Sequence, residues 1–295
     1  MKFFAALALL SAISMPDGYA NILPPNNLHL EDSPQITSNI SRSQFNKMID
    51  KAEDFYTPII ESHGGKFIVN KYWSRSIVNA TAEKDGDKWI VNMYGGMARR
   101  PEITKDAFMM VVCREIGHHL AGMPQYDEWA SVEGQSDFFA AHVCAKNMWA
   151  DEHERNSDFA TEVHQVAKRK CDQIYTIEAE RHICYRTTTA GARLAALLAY
   201  LSRNTLPSFH TPDQSVVKRT KRSHPAIQCR FDTYIAGALC STRFDDFHIP
   251  GREGSRRDSE LDQLKYSCSQ TNPDHFFSAR PKCWYKQRYD NSASN

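Results

Sequence analysis

An apolar run from Phe3 to Ile13 follows Lys2, and the small residues Gly18 and Ala20 come after it. This is the layout of a secretory signal peptide, with the cut expected after Ala20 and a periplasmic or extracellular destination. The run is too short to span a bilayer, which takes about 20 apolar residues. Export limits the fold more than any other feature. An oxidising compartment makes disulfides the default reading of Cys113, Cys144, Cys171, Cys184, Cys229, Cys240, Cys268 and Cys283. None of them forms a C-x-x-C pair, which argues against a cysteine zinc cluster or a thioredoxin-type redox site. Proximity in sequence pairs Cys171 with Cys184, Cys229 with Cys240, and Cys268 with Cys283. Cys113 and Cys144 are left to each other.

The 295 residues carry 36 Lys and Arg against 35 Asp and Glu, a net charge of +1. That balance excludes bulk electrostatic attraction as a route to nucleic acid or to a membrane surface. Apolar residues make up 41% and charged residues 24%, the proportions of a folded globular chain. The most apolar later stretch, Ala190 to Leu201, is interrupted by Arg193, so no integral membrane segment is expected.

The chain divides into the signal peptide (1–20), a flexible Pro-, Asn- and Ser-rich leader (21–42), one domain (43–248) and a polar, cysteine-containing C-terminal extension (249–295). Ser43 is placed to cap a helix running to about Ser62, kinked or shortened by Pro58 and ended by Gly64-Gly65. Phe67-Ile68-Val69, Ile77 to Ala82, and Trp89 to Tyr94 read as strands of a small antiparallel sheet, with Asp85-Gly86 at a hairpin turn. Thr104 caps a helix stopped by Gly122 and Pro124, and Ser131 caps the next, through about Ala150. Helices over roughly 157–183 and 189–203 follow. The basic run 218–222 reads as a solvated loop, and Ser223 caps a last helix. The expected class is α+β and mostly helical. Asn39-Ile40-Ser41 and Asn79-Ala80-Thr81 fit the glycosylation acceptor pattern.

The chemistry concentrates in Cys113-Arg114-Glu115-Ile116-Gly117-His118-His119. This segment resembles the H-E-x-x-H helix of zinc metallopeptidases. In that motif two histidines one turn apart bind zinc, and the glutamate between them is the general base. Glu115 and His118 fill the glutamate and second-histidine positions, and Arg114 stands at the first. A hairpin closed by Gly95-Gly96 precedes the helix. Glu133-Gly134-Gln135-Ser136-Asp137 follows it, and His224-Pro225 with Arg230 comes later. In this order the features resemble HtpX-like gluzincin peptidases, over about residues 66–240. The resemblance implies a zincin-like fold with an edge strand that holds an extended peptide. It implies His118 and Glu133 as zinc ligands, Asp137 and Arg230 behind them, Glu115 as catalytic base and His224 beside the cleft, placed to steady an oxyanion.

Arginine has no lone pair to offer a metal. Two ligands remain where zinc chemistry needs three, so zinc, the cofactor the family implies, is expected to bind weakly or not at all. Cys113 lies about 140° around the helix from His118 and does not substitute for the missing ligand. A set of Glu115, His118 and Glu133 would consume the general base. The guanidinium is instead expected to replace the metal as resident cation, forked onto Glu133 or paired with Glu115. His-to-Arg is also a one-base change, so a variant or an error is a third reading of Arg114. Three functions stay open: a metallopeptidase-like pseudoenzyme, an active zinc endopeptidase with an altered ligand set, and a non-enzymatic helical protein. The expected partner is an extended peptide or protein, as substrate or ligand, and the expected state a monomer.

Overall fold

The computed structural model describes residues 20–289. The signal peptide, apart from Ala20, lies outside the described residues. The class is α+β, with a four-stranded sheet in the order β1-β3-β4-β2. The strands are β1 (Ala20–Asn21), β2 (Lys66–Tyr72), β3 (Ala80–Asp85) and β4 (Lys88–Tyr94). Gly86, at φ +60°, makes the tight β3–β4 turn. The sheet is mixed rather than antiparallel, because β4 lies between β3 and β2 and runs parallel to β2, with Lys66 opposite Lys88. The chain crosses from β2 to β3 by way of Trp73–Ser76. A Cβ on Gly95 would sit 1.8 Å from the Trp73 carbonyl oxygen, so only glycine lets the crossover lie that close. The buried Arg99 guanidinium fastens it, donating to the carbonyls of Leu30, Trp73 and Arg75 at 2.8, 2.5 and 3.1 Å.

Helix α1 spans Arg42–Ser62, capped by Ser41 and Gln44 in a reciprocal box, and it continues through Pro58 to the expected end. The site helix α2 is Lys105–Leu120, with Thr104 accepting from the Ala107 amide and Asp106 in the first turn. Every residue from Asp106 to Leu120 is buried, because β3, β4, α1 and the later helices enclose α2. Helix α3 begins at Glu133–Phe139, passes through a π turn at Ala140–Cys144 and resumes at Ala145–Trp149. Val132, not Ser131, holds its cap position, since the Ser131 hydroxyl is committed to the Gly122 carbonyl at 2.7 Å. Helices α4 (His153–Glu162), α5 (Gln165–Ile174) and α6 (Glu178–Leu201) follow. The chain therefore breaks near 163 and 176, and not between 183 and 189. Helix α7 is Ile227–Leu239, preceded by Ala226 rather than capped by Ser223, and α8 is Arg256–Lys265. No helix among the described residues is long and apolar enough to cross a membrane.

Parts of both ends of the described chain pack on the core. Ile22, Leu23 and Ile40 of the supposed flexible leader are buried in the main core. The C-terminal extension folds back, and Trp284 seats directly on Gly134, where a Cβ would come within 2.3 Å of the indole. Four disulfides hold this arrangement. Cys113–Cys144 joins α2 to the π turn, and Cys171–Cys184 joins α5 to α6. The other two correct the sequence reading, being Cys229–Cys283 and Cys240–Cys268 in place of Cys229–Cys240 and Cys268–Cys283. The reason is geometric. Cys229 lies in the first turn of α7 and Cys240 just past its end. At about 1.5 Å per residue the helix holds them roughly 16 Å apart, while a disulfide needs Cα atoms within about 7 Å. Each cysteine instead reaches the C-terminal segment lying alongside. Asn79 also departs from expectation. It is buried and exchanges hydrogen bonds with the Leu23 backbone, so in the folded chain it is no glycan acceptor.

Candidate active site

Arg114 and Glu115 project from α2, Glu133 and Asp137 from α3, and Arg230 from α7, and all are buried. The Arg114 guanidinium reaches three carboxylates. Nη1 donates to Glu115 Oε1 at 2.6 Å, Nε to Asp137 Oδ1 at 3.1 Å, and Nη2 to Glu133 Oε2. Asp137 is gripped further by Arg230, through Nε at 2.8 Å and Nη2 at 2.9 Å, and by the Tyr234 hydroxyl at 2.6 Å. His118 turns its Nε2 toward Glu133 Oε2, 4.0 Å away. Its Nδ1 donates to the Ser131 carbonyl at 2.9 Å. That bond places the ring proton on Nδ1 and leaves the Nε2 lone pair facing the site. His118 Nε2 and Glu115 Oε2 are buried and have no hydrogen-bond partner.

His224, just ahead of α7, closes the group, with Nε2 3.2 Å from Glu133 Oε2. The same nitrogen donates to the Asn21 carbonyl at 2.8 Å. His119 points elsewhere, to the Ile90 carbonyl at 3.1 Å and against Trp89 and Trp129. The expected juxtaposition of Arg114, Glu115, His118, Glu133, Asp137, His224 and Arg230 is therefore present. Sequence reasoning missed Tyr234, although Arg230 and Tyr234 stand one helical turn apart. It also missed residues 21–23, whose role depends on the fold.

Those three residues lie extended along the edge of β3. β1 pairs antiparallel with β3, Asn21 opposite Thr81, and the Ile22 amide donates to the Ala80 carbonyl at 3.2 Å. Arg230 Nη1 donates to the Ile22 carbonyl at 2.9 Å. Asn79 accepts from the Leu23 amide at 3.1 Å and donates to its carbonyl at 3.3 Å. The chain's own extended segment is thus clasped between the β3 edge and the charged cluster. A cut after Ala20 would fall inside this strand.

The cluster sets two guanidinium cations against three carboxyl groups, so neutrality requires one proton on the acids. Burial pushes Glu115 up to about 8 and Glu133 up to about 7, with Arg114 opposing both shifts. Burial also acts on Asp137, but Arg230 and Arg114 outweigh it and hold this carboxyl low. Burial works against the charge of Arg114, and Glu133, Glu115 and Asp137 more than restore it. Burial, then Arg114, lowers His118, while burial and Arg230 push His224 down to about 3, so both rings are neutral at neutral pH. The proton belongs to the Glu115–Glu133 pair as a unit.

A pH dependence follows. Glu115 starts from 4.5 and rises to about 8 in the folded state. Between these values the folded protein keeps a proton that the unfolded chain has lost, so this group's contribution to stability falls as pH rises. Subtracting the stability of Glu115→Gln from that of the wild type isolates the contribution. The difference is expected to fall between pH 5 and 8 with a limiting slope of about 1.4 kcal/mol per pH unit. Urea unfolding at stepped pH measures it, and parallel curves for the two proteins would contradict the assignment.

The donor set does not suit zinc. His118 Nε2 and Glu133 offer two ligand atoms, and the Arg114 guanidinium, which has no lone pair to give, engages the Glu133 carboxylate. Among the described residues, the set of three His, Cys, Asp or Glu atoms close enough to share an ion is Asp213 with Cys229 and Cys283. Those two sulfurs are bonded to each other and have no thiolate to give. Protein-family models, curated proteins and solved structures were compared with the chain, and none matches.

Proposed function

We propose that this protein is an exported metallopeptidase-like domain, of the HtpX-like gluzincin kind, whose site runs on a resident guanidinium instead of zinc and whose cleft holds an extended peptide. The observation that carries this reading is the Arg114 guanidinium donating to Glu115, Glu133 and Asp137 in a site with no solvent exposure at Arg114 itself. Three carboxyl groups, a neutral histidine with a free inward lone pair and a second histidine make a costly arrangement for a scaffold. It makes sense as a metal site in which one ligand has been exchanged for a cation. The bound Asn21–Leu23 segment supports the peptide-cleft part of the reading, since backbone pairing along a sheet edge is a common way to hold an extended chain.

The free lone pair on His118 favours one rival, an active zinc endopeptidase in which Arg114 swings aside. That movement would strip a cation from three buried carboxyl groups, a loss on the scale of breaking a buried ion pair, about 3–5 kcal/mol. The test is metal analysis of the oxidised protein after equilibration with zinc and gel filtration, beside a chelator-controlled protease assay. Zinc is expected well below one per molecule, with no chelator-sensitive cleavage of unfolded protein. Stoichiometric zinc with such cleavage would replace this reading by its rival.

A further inference from the structure

The basic run at 218–222 is a solvated loop, with Lys218, Arg219 and Arg222 exposed, and its backbone is tied to the C-terminal segment. The Val217 amide donates to the Lys282 carbonyl at 2.9 Å and the Lys221 amide to the Trp284 carbonyl at 2.7 Å. The Lys286 amide donates to Thr220 Oγ1 at 3.2 Å. The Cys229–Cys283 disulfide ties the C-terminal segment to α7, which follows the basic run. Two segments remote in sequence are thereby fixed side by side. Between them and the start of α8 lies a cavity of about 570 Å³, with Arg219, Arg222, Arg256 and Arg288 on its walls.

One acid, Glu260, faces these four cations. Its Oε1 stands 3.8 Å from Arg256 Nε and 3.9 Å from Arg288 Nε, beyond hydrogen-bond reach, and its Oε2 has no partner. Arg256 and Arg288 thus share one carboxylate oxygen at the outer limit of an ion pair, and among the described residues Arg219 and Arg222 have no carboxylate partner. Gln125 adds a buried side-chain amide nitrogen that has no partner. In a chain of net charge +1, four arginines against one glutamate on a single concave wall is a marked local excess. Val132, next to Glu133, lines the cavity, but none of its cations belongs to the Arg114–Arg230 cluster.

We propose that this cavity binds a small polyanion bearing two or more phosphate or sulfate ester groups. Guanidinium forks match tetrahedral oxyanions and grip them through paired hydrogen bonds. The volume lies in the range that holds a small organic ligand, about 300–1,000 Å³, and far exceeds what one oxyanion fills. Several guanidiniums spread around such a space call for several anionic groups on one compact body.

The test is calorimetric titration of the full oxidised protein with inositol hexakisphosphate in one arm and sucrose octasulfate in the other, at low ionic strength (about 0.05 M) where exposed charges are least screened. Saturable binding of one ligand per protein is expected in at least one arm, and the arm that binds identifies the ester class. Arg219 and Arg222 are exposed, so Arg219→Ala with Arg222→Ala should leave the unfolding midpoint in place. That double variant is expected to weaken binding about tenfold or more. Glu260→Gln, which removes the one opposing charge, should tighten it about threefold. No saturable binding in either arm, unchanged affinity in the double arginine variant, or weaker binding in Glu260→Gln would each overturn the proposal.

Discussion

Arg114→His is expected to convert a protein with little zinc into one that purifies with close to one zinc per molecule. The new imidazole would stand one turn from His118 on α2, whose Nε2 already faces the site with its tautomer set by the Ser131 carbonyl. Glu133, freed of the guanidinium, would complete three ligands and leave the fourth position open. The electrostatics change in the same direction. Removing Arg114 leaves Arg230 as the cation for Glu115, Glu133 and Asp137, and the uncompensated carboxylates then favour a dication. Structural zinc sites in peptides bind with about 10–16 kcal/mol, enough to offset the lost ion pairs. Adding Glu115→Gln should leave the zinc in place, since that substitution removes a base and not a ligand. Zinc content is the primary readout because Asn21–Leu23 lies along β3, the edge to which the proposed function assigns an extended peptide. Proteolysis is expected in the Arg114→His protein once that segment has been cut free, and Glu115→Gln should abolish it. An Arg114→His protein that folds and stays free of zinc would show that Glu115, His118 and Glu133 are not the remains of a metal site.

Asp137→Asn should be strongly destabilising. The carboxylate accepts from Arg114, from two nitrogens of Arg230 and from Tyr234, all without contact with solvent. The amide nitrogen of asparagine would face guanidinium donors, and Arg230 would keep a buried charge without its acid. Breaking a buried pair in this way costs about 3–5 kcal/mol. Tyr234→Phe removes one hydrogen bond to a charged group and should cost about 1.5–3 kcal/mol. Urea unfolding of the oxidised proteins measures both. Combining Asp137→Asn with Arg230→Met should recover part of the loss, because the stranded cation goes with its partner. Simple additivity in that double variant would mean that the two residues do not act as a pair.

Short-range features of the chain could be read without the fold. Thr104 and Asp106 mark the start of α2 through capping and the helix dipole, and Gly122 marks its end. Asp85-Gly86 marks the β3–β4 turn. The spacing of Arg114, Glu115 and His118 puts them on one helix whatever surrounds it, and that spacing suggested both the resemblance and the missing ligand. Each of these follows from interactions within a turn or two of backbone.

Tertiary packing settled the rest. The β2–β4 pairing is parallel because the chain crosses over at Trp73–Ser76, which requires the glycine at 95 and the Arg99 clasp beside it. Cys229 and Cys240 are near in sequence but held apart by a rigid helix, so each bonds to a sulfur brought alongside by the folded C-terminal segment. The leader of Pro, Asn and Ser looked solvated by composition. Ile22 and Leu23 are nevertheless buried, because β3 offers an open edge and Arg230 and Asn79 offer partners for their backbone. By itself the sequence determined which of the site groups share one helix, since helical periodicity fixes neighbours one turn apart. Only the fold decided that Arg114 would meet three acids at once and that residues 21–23 would lie between β3 and the charged cluster, because those contacts join segments that no local rule connects.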